Sequence, residues 1–153
     1  ANYVDTPHRP RYYFGYGLSY TKFDYSDLNI SSTEINADET VQISFNVKNT
    51  GKYAGTEIVQ LYLIDQYASL TRPVKELAGF KRVSLEAGES KNVVFEIKPD
   101  QMAFLDIDMR WKVEKGEFDV EVGSSSEDIR LMGKYRVKNN KWIDPQKRAF
   151  WIE

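Results

Sequence analysis

Two carboxylate pairs come closest to chemistry in this sequence: Asp106 and Asp108 around Ile107, and the adjacent Glu127 and Asp128. Paired carboxyl groups can divide acid and base work, and clustered ones can hold a hard cation. Both pairs lie in turn-like sequence, where Asp and Glu serve local backbone hydrogen bonding and solvation. They are read here as turns, with a weak cation site as the alternative. The chain has one histidine, His8, and no cysteine. A single terminal imidazole builds neither a Ser-His-Asp set nor a metal centre, and thiolate sites and disulfides are excluded. No phosphate-cradling loop is present. The residues therefore yield no catalytic group, no metal site and no cofactor.

Aromatic residues offer a second kind of chemistry, because sugars stack on exposed ring faces. Tyr12 to Thr21 reads YYFGYGLSYT, with five aromatics and two glycines in ten residues. It fits neither the period of a strand nor that of a helix, so residues 1–22 are expected to lie as an irregular segment over a surface. Tyr12, Tyr13, Tyr16 and Tyr20 suit either a sugar platform or an interface strip. Glycines that permit close backbone packing favour the interface. Trp111 is in phase with Met109 and Val113, which argues for core. Trp142, Phe150 and Trp151 fall in a C-terminal tail, residues 138–153, where packing is expected.

The elements that must position these side chains are strands. Val41 to Lys48 alternates strictly, with Val41, Ile43, Phe45 and Val47 on one face and polar residues on the other. That is a strand with one dry face. Asn49-Thr50-Gly51 follows as a turn, since Asn and Gly tolerate positive φ at low cost. From Ile58 to Ile64 the chain is apolar on both faces, so Val59, Leu61 and Leu63 should fill the core. Ile58, Tyr62 and Ile64 should then lie outward beneath another segment, with Tyr62 buried from outside.

Phe23 to Ile30 reads as a first strand, with a phase break at Ser26-Asp27 that predicts a bulge. Ser31 to Glu39 is a polar turn. Gln66 to Glu76 is a loop in which Pro73 forces Arg72 extended, and Arg72, Lys75 and Glu76 are candidates to brace a neighbouring domain. Strands are expected over Leu77 to Leu85, Ser90 to Ile97, Phe118 to Val122 and Ile129 to Val137. A single helical turn is expected at Pro99 to Ala103. Met109, Trp111 and Val113 should follow a turn at Asp106 to Asp108.

Seven principal short strands without a long helix indicate an all-β, seven-stranded antiparallel immunoglobulin-like sandwich over residues 23–137. No Cys-Trp-Cys pattern exists, which favours the fibronectin type III variant. At 153 residues with a formal charge of −2, the chain has room for one core and no electrostatic pull toward nucleic acid. No apolar run is long enough to span a bilayer. The absence of an initiating Met, and the long irregular stretch before the first strand, suggest a piece of a longer protein.

Four motifs occur in order: FGYGLSYTKF (Phe14 to Phe23), NTGKYAGTEIVQLYL (Asn49 to Leu63), TRPVKELAGFKRVSLEAGES (Thr71 to Ser90) and KGEFDVEVGSSSEDIRL (Lys115 to Leu131). Together they resemble the C-terminal fibronectin type III-like domain of glycoside hydrolase family 3, which contains β-glucosidases and β-xylosidases. One departure is Tyr13, where the family often has Pro. The resemblance implies an N-terminal (β/α) barrel bearing an Asp nucleophile, and an α/β sandwich domain that commonly supplies the acid/base. Neither is in this chain. The retaining mechanism it implies needs two carboxyl groups about 5–5.5 Å apart, and no residue here inherits either role.

The expected function is therefore a non-catalytic structural domain supporting those two domains of the same chain. The expected interface comprises Phe14, Tyr16, Tyr20, Ile58, Tyr62, Arg72, Lys75 and Glu76. A polysaccharide-binding or adhesive sandwich is the alternative. A periplasmic or secreted location is what the resemblance implies.

Overall fold

The computed structural model describes residues 10–66 and 75–147. Eleven strands are present among the described residues: β1 (Phe23–Ile30), β2 (Glu34–Ile35), β3 (Val41–Asn49), β4 (Gly55–Asp65), β5 (Glu76–Leu85), β6 (Ser90–Ile97), β7 (Phe104–Leu105), β8 (Trp111–Val113), β9 (Gly116–Gly123), β10 (Ile129–Val137) and β11 (Lys141–Trp142). Seven of them are eight residues or longer, and these are the strands that alternation predicts. Among the described residues, helix is confined to one turn at Pro99–Met102 and a short 3-10 turn at Pro145–Lys147.

A three-stranded sheet in the order β1-β3-β6 faces a five-stranded sheet in the order β2-β10-β9-β4-β5. Between them lies a core in which Val41, Ile43, Phe45 and Val47 of β3 are fully buried. Their partners across the sandwich include Val59, Leu61 and Leu63 of β4 and Phe118, Val120 and Val122 of β9. Tyr25, Phe45 and Phe95 stack in series, with ring centroids 6.0 and 6.1 Å apart. Each fully buried side chain of this size is worth about 1.5–3 kcal/mol relative to exposure. This is the fibronectin type III-like sandwich expected from the strand pattern.

The bulge in β1 falls where the phase breaks. Pairing with β3 slips between Ser26 and Asn29, and Asp27 takes a positive φ of 57°. An Asp tolerates this because its short side chain bonds locally. Its carboxylate accepts from Ser26 Oγ and from Asn46 Nδ2, both at 2.8 Å.

Four expectations need correction. The seven long strands pair antiparallel as expected, and the additional two-residue β2 pairs parallel with β10, placing Glu34 beside Arg136 and Ile35 beside Val137. That converts part of the supposed polar turn at Ser31 to Glu39 into structure, with Ile35 and Ala37 buried. Met109 does not join Trp111 and Val113. It is 74% exposed, with φ 57°, in the turn held by Asp106 Oδ1, which accepts from the amides of Asp108 and Arg110. Only from Trp111 does the chain enter a strand, so the helpful phase runs one residue pair too far.

The turn after β3 also works differently from the positive-φ reading, since neither Asn49 nor Gly51 adopts positive φ. Asn49 is fully buried and organises the turn through its side chain instead. Trp142, in β11, pairs with β8 yet remains 46% exposed, its ring covered by the Arg110 guanidinium at 3.9 Å. Phe150 and Trp151 lie outside the described residues.

Candidate functional site, an aromatic strap over the five-stranded sheet

Residues 10–22 form neither helix nor strand and cross the outer side of the sandwich as a strap. Its two ends are pinned by two buried amides. At the near end, Gln60 of β4 donates Nε2–H to Gly15 O at 3.1 Å and to Ser124 O at 2.6 Å. Its Oε1 accepts from the Tyr62 hydroxyl at 2.5 Å, and Ser126 N donates to Phe14 O at 2.9 Å. Gly15 has φ 78°, and a Cβ there would stand 2.1 Å from Gln60 Oε1. Glycine is required on both counts.

The far end is held by Asn49. Its Oδ1 accepts from Thr21 Oγ1 at 2.6 Å and from Gly51 N at 3.0 Å. Its Nδ2 donates to Tyr53 O at 2.8 Å and Leu85 O at 3.2 Å. All four hydrogen-bonding positions of the amide are thus used inside the protein. Backbone bonds from Thr50 N to Lys22 O and from Asn49 N to Glu89 O complete the junction.

Between these pins the strap stands away from the sheet over a groove of about 690 Å³. It is lined by Phe14, Tyr16 and Leu18 of the strap and by Ile58, Leu77 and Phe80 of β4 and β5. Apolar side chains of the strap point to solvent: Leu18 is 89% exposed and Tyr20 is 99% exposed. Tyr12 and Tyr16 pair at 5.1 Å with a tilt of 38°. Monomeric proteins seldom display so continuous an apolar strip without a partner for it.

The end of the groove is polar. Arg130 forms a two-pronged pair with Asp128, its Nε on Oδ1 at 2.5 Å and its Nη2 on Oδ2 at 2.7 Å. A third bond runs from Nη1 to Phe23 O at 3.1 Å, tying β10 to β1. The Arg130 hydrogen bond, with support from Ser124, holds the Asp128 carboxyl below the usual range despite some burial. Glu57 moves the opposite way. Burial raises its pKa, although Tyr25 Oη donates to its Oε1 at 3.1 Å and Arg130 lies near.

These shifts fix the sign of a pH effect. A depressed Asp128 contributes stability present above its unfolded pKa and lost as pH falls through the folded one. A raised Glu57 acts in reverse, its contribution fading as pH rises through the folded value. Asp128→Asn should therefore cost about 0–1 kcal/mol at neutral pH, the range of an exposed pair. That cost should vanish in strong acid, as read from urea midpoints across pH.

Of the residues expected at an interface, Phe14, Tyr16, Tyr20 and Ile58 all lie on this exposed face. Tyr62 does not. It is 2% exposed and packs within the chain, its ring under Lys75 Nζ at 5.5 Å and its hydroxyl on Gln60. Lys75 is likewise used internally, bonding Glu121 Oε2 at 2.5 Å and Ser126 O at 2.7 Å. Glu76 begins β5 and is half-buried, and Arg72 lies outside the described residues. Among the described residues no group of three or more His, Asp or Glu is placed to hold a metal.

Gln60, Leu77, Phe80 and Asn49 were not legible as parts of this face. Gln60 is the polar interruption in an apolar strand, and that is the only signal it carries. Gln60→Leu should release the near end of the strap, since Leu offers nothing to Gly15 O, Ser124 O or the Tyr62 hydroxyl. Limited proteolysis should then cleave residues 10–20 faster than in the parent chain, with a stability loss of about 1–3 kcal/mol.

A family model for the fibronectin type III-like domain matches residues 57–126. The chain is 44% identical over 139 residues to thermostable beta-glucosidase B of Acetivibrio thermocellus, covering 90% of this chain and 18% of that protein. It is 45% identical over 117 residues to a beta-xylosidase of Formosa agariphila, covering 76% of this chain and 16% of that one. Among solved structures it is similar to beta-glucosidase 3B of Thermotoga neapolitana in complex with alpha-D-glucose. There the TM-score is 0.82 at 40% identity, over 90% of this chain and 19% of the other.

Fold and sequence together make this chain a fibronectin type III-like domain. It belongs with the domains of that class found in glycoside hydrolase family 3 β-glucosidases and β-xylosidases. The chain spans only 15–21% of the length of these curated relatives.

Proposed function

We propose that this chain is the non-catalytic C-terminal domain of a family 3 glycoside hydrolase, and that its strap face packs on the catalytic barrel and α/β sandwich domains of the same polypeptide. The parent enzyme would hydrolyse O-glycosyl bonds of β-glucosides or β-xylosides in carbohydrate metabolism. One observation carries the reading: an apolar strip from Phe14 to Tyr20, continued by Ile58, Leu77 and Phe80, is exposed on one side of the sandwich. A surface of that kind gains by burial against a partner, at about 25 cal/mol per Å².

Two measurements test it. The purified chain should not hydrolyse aryl β-glucosides or β-xylosides, and turnover surviving controls for contaminating enzyme would overturn the proposal. In the full-length enzyme, Leu18→Asp combined with Phe80→Asp should lower the melting temperature while leaving the isolated chain unchanged. The open faces of Tyr16 and Tyr20 favour polysaccharide as a second reading. Calorimetry against cellulose, xylan and β-glucan decides between them: micromolar binding that disappears on Tyr16→Ala or Tyr20→Ala would replace the docking role.

A further inference from the structure

The groove beneath the strap has a chemical character that an apolar interface does not need. Glu57 of β4 lines it, half-buried, with the Tyr25 hydroxyl of β1 donating to its carboxylate. Four other charged residues line the groove: Arg130 is closed on Asp128 through two bonds and on Phe23 O through a third, while Lys22 and Asp24 offset one another in charge and neither is bonded to Glu57. Among the described residues no lysine or arginine forms an ion pair with Glu57, and its one hydrogen-bond donor is the Tyr25 hydroxyl. A half-buried carboxylate in that condition is costly. Burial outweighs its two favourable neighbours, which is the direction of its raised pKa.

Resting on the docking role proposed above, we infer that the groove receives an arginine or lysine side chain from the part of the parent polypeptide outside these 153 residues, with its charge on Glu57. The aliphatic stem of either residue fits the apolar lining of Ile58 and Phe80, and the head reaches the carboxylate. An arginine would also lie against the Tyr16 or Phe80 ring face, which line the same space. Charge complementarity selects the occupant. A purely apolar side chain would seal Glu57 from water without neutralising it, and an acidic one would add repulsion. The relatives supply length for such a segment, since over four fifths of the solved Thermotoga neapolitana chain lies outside the matched 19%.

Hydroxyl-radical footprinting of Tyr16 and Phe80 tests this, comparing the isolated chain with the full-length protein. In the unaltered full-length protein both rings should lose reactivity relative to the isolated chain. Glu57→Lys should restore it, and Glu57→Gln should restore it in part with a lowered melting temperature. Circular dichroism of the isolated Glu57→Lys and Glu57→Gln chains identifies any variant that has simply failed to fold, and the folded one is then decisive.

Protection that persists in both variants overturns the cation on Glu57 while leaving the docking role intact. Rings equally reactive in the isolated and full-length proteins would remove both. If cello-oligosaccharide alone protects the rings of the isolated chain, the groove belongs to sugar and the inference falls.

Discussion

Asn49→Ala should destabilise the chain by about 3 kcal/mol, the largest effect expected of any single polar side chain here. The substitution removes every bond of a fully used amide at once. Thr21 Oγ1 and Leu85 O are left without that partner in a buried setting, and Gly51 N and Tyr53 O lose theirs at its edge. Leaving a buried polar group unpaired costs more than the net worth of its hydrogen bond, which is why the sum is large. Urea unfolding followed by circular dichroism measures it. Thr21→Val should cost about 1 kcal/mol, since it deletes one bond and leaves the other three. A loss at Asn49→Ala no greater than at Thr21→Val would refute the account of Asn49 as the junction's hub.

Gly123→Ala should cost about 1–3 kcal/mol, as overpacking does where backbone must yield. A Cβ at Gly123 would stand 2.1 Å from the carbonyl oxygen of Asp128, across the base of the β9–β10 hairpin. Main chain cannot swing aside as a long side chain can. Ser124 and Ser126 of this hairpin also hold Gln60 and Phe14, so the strap should loosen with the hairpin. Faster proteolysis between residues 10 and 20 should accompany the lost stability. Gly17→Ala is the control, because its Cβ would meet no atom within 4 Å. There the expected change is neutral or a gain of about 0.4–1 kcal/mol from a stiffer unfolded chain. Equal effects at both glycines would refute the steric argument.

The two predictions concern one device. Asn49 and the Gln60–hairpin cluster pin the strap at its ends, and the apolar groove exists because nothing pins its middle. Weakening either pin should alter the exposed face before it alters the sandwich core, whose stability rests on Phe45, Phe95 and their neighbours. A docked partner would be felt through the strap.

Alternation along the chain determined the seven long strands, the inward sets of β3, β4, β6 and β9, and the β1 bulge, because period-two patterning is local and burial is its direct consequence. Four motifs in order likewise determined the class. Tertiary structure alone decided the face. Asn49 and Gln60 look like turn and interruption in sequence, yet each is defined by partners far along the chain: Leu85 for one, Ser124 for the other. Met109 shows the same limit in reverse, since its apolar side chain matched a strand pattern that the Asp106 turn ended. Tyr62 is buried, but its contacts are Lys75, just before β5, and Gln60 of its own strand, neither of which local pattern names. Local pattern records which faces are dry. Which polar groups meet across those faces depends on sheet order and register, and these come only from the assembled fold.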